Sequence, residues 1–311
     1  MAIIFLLALY RELIITGRML RSNTGASFFV WMFGTAGRLL TLDPKPSPHT
    51  LALIITESLL DCFLFAYTFD ILNQITSVEE DTLNKPYRPI PAGLLSIRGA
   101  KWRLILSWIG CYPVIWIVSG KEATFIQFTW KLWTLFCYVW PRINHWFFRN
   151  TFAGIGTYMM YRWINIIVTN HVPNAEMWYG YDLLFALFVN TTCQLQEFHD
   201  VDGDRKAGRR TLAVILGPTG RTVLRRGTTA LMVVYGVAGC AWAVACQSVV
   251  ATSRTPLMVG LVYTLTCGVI LCRMWNSHSK AYDETTYKFG YIAASCLMSL
   301  YLRLVGSMDG K

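Results

Sequence analysis

Charge is scarce in this chain. Only 15% of its 311 residues are Asp, Glu, Lys or Arg, against about 25% in soluble domains. Hydrophobic residues make up 54%, which argues against a pair of water-soluble domains and for one membrane bundle. Acid is the scarcer sign, and 28 Lys and Arg against 18 Asp and Glu leave a net charge of +10. That excess calls for no nucleic acid, because Lys and Arg gather in the cytosolic loops of membrane proteins. Zinc–thiolate chemistry is missing too: among nine cysteines there is no Cys-x-x-Cys and no Cys/His spacing of a zinc site. Most of them fall inside apolar runs and are expected as buried structural thiols. The apolar start has no basic leader and no small-x-small cleavage site. With Arg11, Glu12 and Arg18 close behind it, residues 1–22 are expected to form an amphipathic helix at the membrane interface, or a short anchor. There is no phosphate-cradling glycine loop and no Ser/His/Asp arrangement.

What the chain has is apolar runs. Nine of them, near 26–42, 51–72, 102–118, 125–140, 147–168, 180–198, 228–245, 257–274 and 287–305, approach the roughly 20 residues that span a bilayer as helix. The run with Arg38 and the run with Lys131 fit least well. Cations cluster after the even-numbered runs: Lys85, Arg88, Arg98 and Lys101 after the second, Arg142 after the fourth, seven arginines and lysines from Arg205 to Arg226 after the sixth, and Lys280 after the eighth. The odd connections hold few, so the even loops are expected in the cytosol. The expected architecture is an all-α integral membrane protein, a bundle of nine transmembrane helices around a central cavity, forming a single domain over residues 1–311.

Two acid-rich segments end spans on that cytosolic side. The first runs from Asp70 through Asn73, Gln74, Ser77, Glu79, Glu80 and Asp81 to Lys85 and Arg88. If the second helix continues through it, Asp70, Asn73, Ser77 and Asp81 share one face with Glu80 beside them. The second contains Glu197, Asp200, Asp202 and Asp204, followed by Arg205, Lys206, Arg209 and Arg210; Glu197, Asp200 and Asp204 have i, i+3, i+7 spacing and would also share a face. Taken singly, each would be an ordinary solvated acidic loop. An EF-hand is excluded, because Thr211 stands where the loop's last ligand, a Glu, would be. Together they fit magnesium, which takes one or two carboxylates plus phosphate oxygens from a substrate. Neighbouring lysines and arginines would meet the remaining oxygens, and aromatic spans suit a hydrocarbon chain and a carbocation. A transporter is disfavoured, since no matching polar set lies on the other face.

These residues resemble the UbiA superfamily of intramembrane prenyltransferases over most of the chain. Asn73-Gln74-x-x-Ser77-x-x-x-Asp81 stands where that family usually has Asn-Asp-x-x-Asp-x-x-x-Asp, and Asn84-Lys85-Pro86-Tyr87-Arg88-Pro89 resembles its following loop. Glu197, Asp200 and Asp204 match its second motif, with Glu in the first place. The reduced first motif is similar to that of the fungal UbiA-type membrane-bound terpene cyclases. The resemblance implies magnesium held by Asn73, Ser77, Glu80, Asp81, Glu197, Asp200 and Asp204, with Asp81, Asp200 and Asp204 essential to catalysis. It implies a diphosphate met by Lys85, Arg88, Lys206, Arg209 and Arg210. The implied activity is cyclisation of a prenyl diphosphate, farnesyl favoured and geranylgeranyl possible, in secondary metabolism. The alternative is prenyl transfer to an aromatic or polyketide acceptor. The partners expected are the prenyl diphosphate and the bilayer, with no obligate protein partner, and the location is the endoplasmic reticulum with the site facing the cytosol. Asp61, Arg162, Asn165 and Asn190, polar within spans, are candidates either to line the cavity or to tie helices together. Arg21 and Asn23 are placed to reach the diphosphate, and His199 adjoins Asp200.

Overall fold

A computed structural model describes residues 2–141, 145–175, 179–249, 254–276 and 279–309. Arg142 lies outside the described residues, as does the side chain of Cys246. All regular structure among the described residues is helical. The N-terminal helix α1 (Ala2–Leu20) is followed by a π-helical turn (Gly25–Phe29) that runs into α2 (Val30–Leu40). Next come α3 (Pro48–Thr76), α4 (Val78–Asn84), α5 (Ile97–Tyr138) and α6 (Trp146–His171). Then α7 (Tyr179–Thr192) tightens into a 3-10 stretch (Cys193–Phe198) ahead of α8 (Val201–Lys206) and α9 (Leu212–Ile215). Two long helices follow, α10 (Gly217–Val249) and α11 (Thr255–Met274). Last, α12 (Lys280–Thr285) passes through a second π turn (Thr286–Tyr291) into α13 (Ile292–Asp309).

The helices start and stop where the sequence supplies caps. Ser47 accepts the Thr50 amide ahead of Pro48 to open α3, and Ser96 accepts the Gly99 amide to open α5. Within α5 the chain turns at Gly120, where φ is +85°, a conformation that side chains with a Cβ avoid. The third and fourth expected runs are therefore two helical legs of one continuous element.

Five stretches are long and apolar enough to cross a membrane by length and composition: Pro48–Thr76, Ile97–Tyr138, Gly217–Ala245, Thr255–Met274 and Lys280–Gly306. Of the other expected spans, α2 is short and α6 carries Arg149, Arg162 and His171. Lys131, which made the fourth run doubtful, is internally satisfied, and so are other polar residues within the spans. Lys131 is buried, donates to the Trp108 carbonyl at 2.7 Å and lies 3.9 Å from the Tyr112 ring centre. Asp61 accepts from Trp163 at 2.7 Å and from Ser119. Asn165 donates to Asp182 at 2.7 Å, and Arg303 bridges both from α13. Arg162 stacks on Tyr179, and Asn190 reaches Thr151. None of these four candidates lines the central cavity; they tie helices together, because a polar group in hydrocarbon must find its partner inside the protein.

The cysteines divide. Cys62, Cys111, Cys267 and Cys296 are buried as expected, but Cys272 faces outward and Cys193 lines the cavity. On α1, Ile15 and Met19 pack on Ile71, Leu95 and Ala100. Its other face exposes Phe5, Leu6, Leu7, Leu9, Tyr10 and Leu13, as a helix lying on a membrane would.

Candidate active site

The acid-rich segments meet at one end of the bundle. The first is not one continuous helix: α3 ends at Thr76, and Ser77, at φ −123° and ψ 26°, turns the chain into α4. The turn brings Glu80 to the cavity along with Asp70, Asn73 and Ser77. Asp81 does not reach the wall. Both of its oxygens take Arg88 Nη1 at 2.7 Å, and Ser77 donates to it at 3.2 Å. In the second segment the 3-10 turn, with three residues per turn, sets Glu197 and Asp200 in line; α8 adds Asp204, and all three line the cavity.

Cross-pairing clasps the two segments. Lys85 from the first lies 3.3 Å from Asp200 of the second. Arg209 from the second donates to Glu80 of the first at 2.8 Å and lies 3.6 Å from Asp204. A Cβ on Gly203 would sit 2.0 Å from the Asn84 side chain, so the close approach of α4 and α8 uses a residue without a side chain.

Of the cations expected at a diphosphate, Lys85, Arg88 and Arg209 line the cavity, whereas Lys206 and Arg210 point outward. The sequence reading missed Arg149. It opens α6, lines the cavity and lies 3.7 Å from Glu197; a lone arginine at the edge of an apolar run was its signal. Asn23 also lines the cavity and donates to Asp70, while Arg21 packs over Tyr87 instead. His199 is buried beside Tyr287, 3.7 Å from Asp200.

Burial raises the Glu80 and Asp204 carboxyls above the ordinary value, only partly offset by Arg209 and by Arg149 with Arg209. Burial acts the same way on Asp200, but Lys85 and His199 outweigh it and hold that carboxyl low. Burial also pushes the His199 imidazole down. The surroundings of Asp200 thus favour its charged form, while burial works against the charged forms of Glu80 and Asp204.

The donor set suits a hard divalent ion. Asp204 Oδ2, Glu197 Oε2 and Asp70 Oδ2 are buried without hydrogen-bond partners. Among the described residues no three His, Cys, Asp or Glu side chains converge into a closed cage. Magnesium asks for no cage, since waters and substrate phosphates complete its shell.

Below this rim the wall is aromatic. Phe65 stacks on Trp130 with centroids 4.6 Å apart, Trp130 meets Phe152 at 4.9 Å, and Phe69 meets Phe152 at 5.3 Å. Tyr287 and Tyr291 stack at 5.6 Å and also line the cavity, with Met160 and Val30 among its apolar residues. A Cβ on Gly156 would sit 2.9 Å from the Trp130 ring, so this glycine lets the indole lie against α6.

A family model, the UbiA prenyltransferase family, matches residues 30–295. The somaliensene A/B synthase of Streptomyces somaliensis is 29% identical over 199 residues, 60% of this chain and 64% of that protein. From Hericium erinaceus, the diterpene cyclase eriG is 24% identical over 78% of this chain and 73% of its own, and the polyprenyl transferase eriF is 31% identical over 50% and 53%. The chain thus spans between about half and three quarters of these relatives. A UbiA homolog from Archaeoglobus fulgidus, solved bound to DMAPP and Mg2+, superposes over 94% of this chain and 99% of its own with a TM-score of 0.63 at 17% identity; at that identity the likeness speaks for the fold.

Proposed function

Because the chain belongs to the UbiA prenyltransferase family, we propose that it is a magnesium-dependent, membrane-bound terpene cyclase. Its substrate is a prenyl diphosphate, farnesyl diphosphate first and geranylgeranyl diphosphate second. The observation that carries this is a single cavity with a rim of paired carboxylates and cations and a deep wall of aromatic rings. The rim suits a diphosphate, and the wall suits a hydrocarbon that becomes a cation. The two Hericium relatives divide between cyclase and transferase, so the distinction rests on the site. Gln74 and Ser77 replace two acids of the family's first motif, and stacked rings enclose the place where the chain would fold.

Lys85, Arg88, Arg149 and Arg209 hold the diphosphate oxygens and orient the C1–O bond toward the rim. Magnesium, held by Glu80, Glu197, Asp200 and Asp204 with Asn73 and Ser77 as neutral oxygens, would neutralise the leaving group and draw electron density from it. The C1–O bond breaks, and diphosphate leaves with the electron pair. The allylic cation is attacked by a double bond of its own chain, and a proton is lost at the end. Phe65, Trp130 and Phe152 offer ring faces to the migrating charge and exclude the water that would quench it.

The transfer reading has an observation of its own. Asn150 lines the cavity and donates to Gln194 at 3.1 Å, a polar spot where an acceptor hydroxyl would fit. Diphosphate release by the purified protein from farnesyl diphosphate and magnesium, with no acceptor, separates the two. The cyclase sustains many turnovers, and a transferase stays silent until an aromatic acceptor is added.

The aromatic wall makes a sharper expectation. Gly156→Ala pushes the Trp130 ring into the cavity, an overpacking change of about 1–3 kcal/mol that falls where the chain folds. Turnover is expected to drop at least roughly tenfold, with a changed product ratio in gas chromatography; unchanged rate and products would remove Trp130 from the template.

The orientation we propose rests on charge, and the endoplasmic reticulum on the likeness to the fungal enzymes. The cavity mouth lies at the end carrying Lys85, Arg88 and Arg209, the loops the positive-inside rule assigns to the cytosol. We place the protein in the endoplasmic reticulum with nine spans, the mouth facing the cytosol and α1 lying along the interface.

A further inference from the structure

Gln74 occupies a position where the family's first motif normally carries an acid, yet in this structure it has a different task. It is buried, and its side-chain amide donates to the Met19 carbonyl at 3.0 Å, fastening the end of α1 to α3. Gln74 is not among the residues that line the cavity. Ser77, at the second altered position, does line it, but its hydroxyl donates to the Asn73 carbonyl at 2.5 Å and to Asp81.

Asp70 stands one helical turn before Gln74, on the stripe that carries Asn73 and Ser77. It lines the same cavity and is 1% exposed. Asn23 donates to its Oδ1, while Oδ2 is buried with no hydrogen-bond partner. The charged groups acting on it are Arg88, Asp81 and Lys85; Arg88 is already committed to Asp81, and Lys85 to Asp200. A carboxylate oxygen in a buried position is costly unless something meets it. Asn23 fixes the carboxylate's orientation and leaves one oxygen for a ligand that is not a protein donor.

We propose that Asp70 supplies, as a ligand for the divalent cation, the carboxylate that the first acid-rich segment lacks at Gln74 and Ser77. The carboxylate has moved one turn deeper on α3, which frees position 74 to hold α1. The inference rests on the magnesium-dependent reading of the site. Asn23, just before the first π turn, becomes the positioning residue that aims Asp70.

Manganese binding, followed by loss of the free-ion electron paramagnetic resonance signal, tests this without turnover. The full-length protein in nanodiscs is titrated with Mn2+ in the presence of inorganic diphosphate. Wild type, Asp70→Asn, Asp200→Asn and Gln74→Ala are compared, with thermal unfolding in the absence of metal as the control for folding. Asp70→Asn keeps the shape and an oxygen for Asn23. Its manganese affinity is expected to fall at least tenfold while its metal-free unfolding temperature stays near wild type. Gln74→Ala is expected to keep manganese affinity within twofold and to unfold at a lower temperature. If Asp200→Asn loses affinity and Asp70→Asn does not, the assignment of Asp70 is overturned and the metal site stands. If wild type itself binds no manganese, the magnesium reading falls and the assignment with it.

Discussion

Asp200→Asn is expected to lower turnover of a prenyl diphosphate by about a thousandfold or more, while the protein still accumulates in membranes and unfolds at the wild-type temperature. The carboxylate lines the cavity, and Lys85 beside it favours its charged form against burial. Its surroundings favour the charged form that a cation needs. Losing one metal ligand in a dry site removes about 4 kcal/mol of leaving-group stabilisation, which is roughly a thousandfold in rate. Asn has the same shape and leaves Lys85 a hydrogen-bond acceptor, so the fold has little reason to respond. Initial rates of diphosphate release, together with a melting curve in detergent, check both halves. A rate within tenfold of wild type would take Asp200 out of the machinery.

Asp81→Ala is expected to be at least as damaging to turnover, for a different reason that a stability measurement exposes. Asp81 is not at the cavity; it holds Arg88 through two contacts of 2.7 Å, and each residue is only 1% exposed. Removing the acid leaves a buried guanidinium without its counter-ion, at a cost of about 3–5 kcal/mol. Arg88 also contacts Ser22, so the loop before the first π turn loosens with it. The variant should therefore unfold well below wild type as well as turn over poorly. Asp81→Ala with a wild-type melting curve and lost activity would instead make Asp81 a direct ligand, the role the family motif implies.

The contrast between these two aspartates marks how far the sequence carries. Spacing identified both acid-rich segments and put Glu197, Asp200 and Asp204 on one face. The structure keeps that face although the helix tightens to 3-10 and restarts, because i, i+3 neighbours stay aligned in either helix. The break at Ser77 was not legible, since no proline or glycine lies nearby to announce it. That break decides that Glu80 faces the cavity and Asp81 faces Arg88. The roles of the loop cations also escaped the sequence. Arg209 and Arg210 are adjacent in a basic run, and only the return of the chain after α8 turns one inward. The pairing of Gly156 with Trp130 joins residues on different helices, and no local pattern records it. The intramembrane polar residues were legible as exceptions. Their use as fasteners became clear only once Asp61 met Trp163 and Asn165 met Asp182.

The measurement that bears most directly on the central claim is made on membranes containing the expressed protein. Farnesyl or geranylgeranyl diphosphate is added with magnesium and no acceptor, and the organic extract is analysed by gas chromatography and mass spectrometry. A new cyclic hydrocarbon from one of the two, lost with a chelator and lost in Asp200→Asn, is the predicted result, and it fixes the chain length. No hydrocarbon from either substrate, with a prenylated product appearing only when an aromatic acceptor is supplied, would contradict the cyclase and make the protein a transferase.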